Sequence, residues 1–499
     1  MAGIPSRLPR TTENEGLAYT ILSMIRGTVV AVGPWLFTMT ALILISVVAA
    51  NVMSRAALAD FRGIIIYAFA LSLIAAAPFV LVTSRVLSNA IDHNHRVEAQ
   101  PVLVAGVVGA AATSAALSWA VGWGLFAVQS STLLALMQAS SLAGMMWVYL
   151  AVASAMHGYK GVSVTFVVGL TVATGATLLA VFGWNASTAE MVFAFNIGIA
   201  AISFGLSIRE LRGTRCPNLD IMRGARDLAL YTRRYAWISV GACLGAIAVW
   251  IDKWIIWAGP AGSELRSGLV HAPYYDSAAF LAYLTIIPSL ARFVLTLDGE
   301  YIAAYRNYYN AIKQHATLEE IEHMGGALGR LTLELVEKIF TQQAAICAIV
   351  VLCAPLIIEA SNLKYAQVPV LRLCTIAVLF QFAFIAATSL LIFFERHREF
   401  LFLQALFLVT NAAGTMVTVE IGPVSYGFGL LVASVISGIA AYAVLNNVVQ
   451  HINYFTFVEG AVRMHMQERD NTKKKSCSPN ADWPNEPRES VFPSSRSCV

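Results

Sequence analysis

The chain has 499 residues, 58% hydrophobic and only 12% charged, with a mean hydropathy of +0.68 and a formal net charge of +4. A soluble globular domain carries roughly 25% charged residues, so the composition excludes a water-soluble enzyme and gives no basic surface for nucleic acid. About a dozen apolar stretches, each near the roughly 20 residues that cross a bilayer, leave almost no room for a catalytic domain outside the membrane.

Residues 1–27 read as a cytoplasmic amphipathic segment, in which Tyr19, Ile21, Leu22, Met24 and Ile25 alternate with polar positions as in an interfacial helix. The first apolar run, from about Thr28, is too long for a signal-peptide core and reads as a retained span. In lipid the backbone satisfies its own hydrogen bonds, so the apolar stretches are expected as helices. The predicted spans are Thr28–Val48, Gly63–Val82, Val102–Gly122, Thr132–Ala155, Val162–Phe182 and Met191–Ile208, an N-lobe over 28–208. A basic linker over 209–235 follows, carrying Arg209, Arg212, Arg215, Arg223, Arg226, Arg233 and Arg234. The C-lobe, 236–458, holds Ala236–Ala258, Ala278–Leu297, Ile339–Ile358, Val370–Phe394, Phe400–Val419 and Tyr426–Val448. Between its second and third spans a cytoplasmic helical hairpin is expected over 298–338, where Thr317 and Glu320 have capping-box spacing. Glu319, Glu320 and Glu322 read either as a solvated face or as a docking surface. The stretch 459–499, with Lys473, Lys474 and Lys475 and many Ser and Pro, reads as a disordered basic tail, either simply solvated or in touch with membrane lipid.

An even span count puts both termini on one side. Loops on that side hold roughly 26 Lys and Arg and the opposite loops about five, so both termini are expected in the cytoplasm. The fold class is therefore an all-α polytopic membrane protein of about twelve transmembrane helices in two six-helix lobes, the arithmetic of a transporter whose halves rock about a central site. No residue-level repeat between the halves is visible in the sequence.

Seven cysteines without a CxxC pair read as inert thiols, so neither a metal nor another cofactor is expected. The chain has no phosphate-binding Gly-rich loop and no HExxH, and it reads as a non-enzyme. The informative residues are those a bilayer rejects. Asp252 and Lys253 lie toward the outer end of span seven, either at the interface with Lys253 snorkelling or lining a wet cavity. As helix neighbours they need not pair directly. Trp250, Trp254 and Trp257 share one helical face, as an aromatic belt against lipid or as a platform for the apolar C–H face of a sugar ring. Arg62, beside Asp60, and Arg372 open spans two and ten, and Arg85 and Arg292 lie toward inner span ends. Each reads as an interfacial anchor or as a donor to substrate hydroxyls or carboxylates. Pro34, Pro78, Pro288 and Pro355 are expected to kink their helices.

Several stretches, taken in order, resemble one family. They are Met1–Ile4, Gly33–Trp35, Trp250–Lys253, Tyr275–Ser277 with Phe280–Pro288, Tyr301–Ile312, Thr317–Glu319, Phe394–Arg398, Gly422-Pro423 and Tyr426-Gly427. Together they resemble the PelG family of inner-membrane transporters of the bacterial Pel exopolysaccharide system, over nearly the whole chain to about Phe457. The resemblance implies the flippase superfamily of polysaccharide exporters and multidrug antiporters, with two six-helix lobes in a V around a central path. It also implies export of a galactosamine-type polymer made by a cytoplasmic glycosyltransferase, and companion inner-membrane proteins that include a cyclic-di-GMP receptor. Pro5-Ser6 and the tail after about Arg463 depart from the family pattern. The resemblance does not say which residues line the path; their own chemistry nominates Asp252, Lys253, Arg62, Arg372 and Arg292 for polar contacts to the polysaccharide and Trp250, Trp254 and Trp257 for stacking. Two rival readings are a membrane scaffold for the synthase and a small-molecule antiporter of related fold.

Overall fold

A computed structural model describes residues 33–92, 100–155, 159–211 and 220–459. The N-terminal amphipathic segment, residues 212–219 of the basic linker and residues 460–499 of the C-terminal tail lie outside these residues. Among the described residues, eleven helical segments are long and apolar enough to cross a membrane, and a shorter apolar helix makes the twelfth.

The N-lobe contains α1 (Gly33–Ala49), α2 (Arg55–Asp92), α3 (Gln100–Gly124), α4 (Ser130–Ala155), α5 (Tyr159–Trp184) and α6 (Thr188–Leu211). Within the linker lies α7 (Ile221–Arg234), a helix the sequence reading did not assign. The C-lobe opens with α8 (Ala236–Ala258), bounded as expected between Tyr235 and Gly259. A two-stranded antiparallel hairpin follows, β1 (Ser263–Glu264) and β2 (Val270–His271), pairing Ser263 with His271 and Glu264 with Val270. Span eight is not one helix. It runs as α9 (Pro273–Leu284), breaks at Thr285-Ile286, and resumes as α10 (Ile287–Thr296), a π-turn over Leu297–Tyr301 and α11 (Ile302–Lys313). The chain then forms α12 (Leu318–Ala360), α13 (Val368–Phe393), α14 (His397–Ile421) and α15 (Phe428–Gln450). Thr317 and Glu320 form a reciprocal capping box that starts α12, so its first turn is satisfied outside the apolar stretch.

The two lobes repeat one packing scheme. In the N-lobe, α1 packs on α5, α5 on α6, α2 on α3 and α4, and α4 on α3 and α6. Adding six to each span number reproduces the set in the C-lobe: α8 on α14, α14 on α15, span eight on α12 and α13, and α13 on α12 and α15. Paired glycines sit at the same crossing in both. A Cβ on Gly198 of α6 would meet the Gly169 carbonyl oxygen of α5 at 2.4 Å, and a Cβ on Gly429 of α15 would meet the Gly414 carbonyl carbon of α14 at 2.4 Å. Small residues let backbones approach where lipid offers no hydrophobic drive.

The lobes meet along α2 and α8, which run antiparallel. Tyr67 packs on Trp257 near one end, Cys243 reaches the Ile74 carbonyl midway, and Arg85 lies over Tyr235 near the other end.

Two of the four prolines sit inside unbroken helices, Pro78 in α2 and Pro355 in α12. A proline leaves the carbonyl four residues earlier without its helical donor. Each freed carbonyl has a replacement donor from another span. The Cys243 thiol lies 3.8 Å from Ile74 O, and Arg372 Nε donates to Val351 O at 3.1 Å. That substitution is how a membrane helix tolerates proline. Pro288 differs, because it follows the helix break directly. Pro34 is the second residue of α1, at the edge of the described residues.

Candidate functional site

A linked cluster of buried charged and hydroxyl side chains lies where α8, α9 and α13 meet, beside the lobe seam. Asp252 is fully buried on α8. Its Oδ2 accepts from the Tyr275 hydroxyl of α9 at 2.6 Å and from Lys253 Nζ at 3.1 Å; Oδ1 lies 3.3 Å from the same ammonium. Neighbouring positions on a helix diverge by about 100°, so the sequence left direct pairing open. The four-carbon stem of Lys253 closes that angle by folding back, which also brings Nζ 3.1 Å from the Val249 carbonyl. The ammonium does not snorkel. Its side chain is 12% exposed and lies 5.1 Å from the Tyr283 ring and 5.7 Å from the Trp250 ring. Two rings and three oxygens thus replace its hydration shell. The Tyr283 hydroxyl donates to Gln381 Oε1 of α13 at 2.8 Å, while buried Gln381 Nε2 has no hydrogen-bond partner among the described residues.

The tryptophan face turns inward. Trp257 is buried, and its indole N–H donates to both oxygens of Asp276, at 2.9 and 3.0 Å. Asp276 also accepts the Ala272 N–H at 3.0 Å, fixing the return of the hairpin into α9. The Trp257 ring lies 5.0 Å from Tyr67 of the opposite lobe and 6.5 Å, edge-on, from Trp250. Trp250 and Trp254 are half-buried against the same core. Exposed tryptophans come from elsewhere: Trp119, Trp123, Trp184 and Trp237.

The hairpin after α8 closes one end of the seam. Its Ser267 donates through N–H at 3.0 Å and through its hydroxyl at 2.5 Å to Asp60 of α2, a buried carboxylate. Tyr67 donates to Val270 O at 2.7 Å. At the other end, buried Arg85 donates to Ile392 O, at the end of α13, at 3.3 Å and lies 5.5 Å from the Tyr235 ring. Both ends of the seam are therefore tied across the lobes by buried polar groups of α2.

The other arginines do not join the Asp252 cluster through any contact described. Arg62 is exposed and donates to Ser46 of α1 at 3.1 Å. Partial burial, with Arg62 nearby, holds the His271 imidazole below its ordinary range. Arg372 is exposed and serves the carbonyl freed by Pro355. Arg292 donates to Gln342 at 3.0 Å, just below the helix break, where Gln343 Nε2 donates to the Thr285 hydroxyl at 3.0 Å. Sequence reasoning missed Tyr275, Asp276, Tyr283 and Gln381 as partners. Its one usable signal was Tyr275-Asp276 at the start of span eight.

Residues 1–457 match the family described as "PelG: Putative exopolysaccharide Exporter (EPS-E)". The chain belongs to the PelG family. No curated protein matches it. Among solved structures it is similar to a multidrug resistance MATE family transporter of the MOP superfamily in an outward-facing conformation, at 13% identity over 87% of this chain and 96% of that one, TM-score 0.61. It is similar also to such a transporter in an inward-facing conformation, at 13% identity over 83% and 95%, TM-score 0.57. A third is a MOP superfamily transporter from Pyrococcus furiosus Vc1 (DSM3638), at 13% identity over 86% and 96%, TM-score 0.60. At such identity the likeness is one of fold. This PelG family member is a multi-pass membrane protein with a MATE-like transporter fold, and its family match stops short of the C-terminal tail.

Proposed function

We propose that this protein exports an extracellular polysaccharide across the bacterial inner membrane, along the seam between its lobes. The observation that carries the reading is a family match over nearly the whole chain, combined with a buried, aromatic-lined polar cluster beside the only pair of spans that joins the lobes along its length among the described residues. A sliding polymer needs apolar faces for its rings and donors for its hydroxyls, without one tight pocket. Trp250, Trp254 and Tyr283 supply the faces. Lys253, held by Asp252, and the unused amide of Gln381 supply the donors.

The family resemblance favours a Pel-like, galactosamine-type polymer, handed over by a cytoplasmic glycosyltransferase in company with a cyclic-di-GMP receptor. Both termini then lie in the cytoplasm, and the chain itself carries out transport rather than bond-making. The test uses cells that contain the synthase and its partners. Trp250→Ala and Tyr283→Ala are expected to cut exported polymer at least tenfold while the synthase stays at the membrane. Normal export by both variants would overturn the reading. So would movement of small cations by the purified chain in vesicles that contain no synthase.

A further inference from the structure

The helix α7 stands outside both lobes, and its surface has two unlike faces. One is fixed to the protein. Gly224 and Leu228 are buried, and a Cβ on Gly224 would stand 2.1 Å from the Pro101 carbonyl oxygen, so the helix presses on the first turn of α3. It also packs on α2 and is joined to α8 through the single residue Tyr235. These contacts hold α7 at the level where spans three and seven begin, which is where hydrocarbon gives way to headgroups.

The other face is exposed and mixed. It presents Arg223, Arg226, Arg233 and Arg234 together with Met222, 81% exposed, and Leu230. Arg223 approaches Asp227 at 3.9 Å, while Arg226, Arg233 and Arg234 have no carboxylate partner among the described residues. At about 100° per residue, Ala225, Ala229 and Met222 form an apolar flank and the four arginines with Leu230 occupy the adjoining arc. Met222 and Leu230 stand exposed among the arginines, and an apolar protein interface there would leave three guanidiniums uncompensated. Apolar side chains beside arginines that have no carboxylate partner among the described residues, at headgroup depth, suit an interfacial helix on an anionic lipid surface.

We propose that α7 is a lipid-docking element: its apolar flank enters the acyl boundary while Arg226, Arg233 and Arg234 bind the phosphates of an anionic phospholipid leaflet. The linker is then anchored to the bilayer together with the N-lobe helices it packs on, α2 and α3, so that the C-lobe moves relative to that anchor. The inference is independent of the transported cargo.

The test uses the full-length protein in vesicles of phosphatidylcholine with increasing phosphatidylglycerol. An environment-sensitive fluorophore is attached at Met222→Cys in a background without the native cysteines. Its emission is expected to shift to the blue as phosphatidylglycerol rises. Each arginine near an anionic surface contributes about 1 kcal/mol, so Arg226→Gln/Arg233→Gln/Arg234→Gln should require on the order of 100-fold more anionic lipid for the same shift. Should the cysteine-free background fail to fold, thermal unfolding of the otherwise native chain in nanodiscs replaces the fluorophore. There, phosphatidylglycerol should raise the unfolding temperature of the native protein but not of the triple variant. Emission or stability indifferent to phosphatidylglycerol, or equal responses of the two proteins, overturns the proposal. A blue shift that appears only when a partner protein is added overturns it too.

Discussion

The Asp252–Lys253 pair makes a sharp prediction because its two charges have almost no solvent. Removing one partner of a buried ion pair strands the other, at a cost of about 3–5 kcal/mol, whereas replacing both by neutral groups of similar size is close to neutral. Lys253→Met leaves the fully buried Asp252 carboxylate with the Tyr275 hydroxyl as its remaining contact. One hydrogen bond to a charged group contributes roughly 1.5–3 kcal/mol, too little to offset the loss of the ammonium. The expected order of unfolding temperature in a fixed detergent is therefore Lys253→Met well below wild type, with Asp252→Asn/Lys253→Met recovering most of the difference, because Asn still accepts from Tyr275. Export measured on the same variants separates structure from transport. If the double variant unfolds like wild type yet exports poorly, the ammonium acts on the moving polymer. The reasoning is refuted if Lys253→Met unfolds at the wild-type temperature, or if the double variant is no more stable than the single.

Arg372→Ala should destabilise the protein by about 1–3 kcal/mol by orphaning Val351 O, but by much less when combined with Pro355→Ala, which restores the helical donor; a thermal double-mutant cycle reads the coupling. Asp60→Ala should free the hairpin at one end of the seam, and a cysteine at Ser267 should then react with a water-soluble maleimide several times faster than in the Asp60 background. Gly429→Leu and Gly198→Leu should each lower the unfolding temperature, since both push a side chain into the facing helix backbone at matching crossings of the two lobes. Thr317→Ala removes one half of the capping box and is expected to cost about 1 kcal/mol, seen as faster amide exchange in the first turn of α12.

The spans were legible because lipid imposes one simple rule on them. Ala236–Ala258 has the same ends in sequence and structure, since a polar linker precedes it and Gly259 follows. Span eight was harder. Pro288 signalled trouble, but the break sits at Thr285-Ile286, and the polar groups around it come from α12, which no local pattern reveals. The site was half legible. A charge pair inside an apolar run is conspicuous, and helical spacing grouped the three tryptophans on one face. Periodicity gives a face but not its direction, so the three tryptophans read as a lipid belt or as a platform for sugar rings, and only tertiary contacts with Tyr67 and Asp276 turn Trp257 inward. Arg372 was half legible for a related reason. It was visible as a charge and Pro355 as a kink, but only tertiary structure joins the two. The lobe repeat escaped the sequence because it lives in which helices touch, and because short glycine contacts survive in unlike surroundings.

That repeat makes the differences between the lobes informative. Span seven corresponds to span one, α8 to α1, and each packs on the fifth helix of its own lobe. The described residues of α1 contain no charged side chain, whereas α8 carries Asp252 and Lys253 in the middle of a net of hydroxyls and rings. Equal packing with unequal polarity means that the ion pair is not required by the architecture, since the N-lobe builds the same helix set without it. A buried charge pair is weak support for stability, so its presence on one lobe alone points to a task beyond holding helices together. The seam sharpens the contrast. The charged residues of α2 in it, Asp60 and Arg85, reach across to the hairpin turn and a helix end of the opposite lobe, where sliding breaks a few bonds at each end. Asp252 and Lys253 instead bond only within the C-lobe. Motion between the lobes therefore leaves the pair intact while changing what lies beside it. A transporter needs that property of a polar group that stays ordered while the path around it opens and closes.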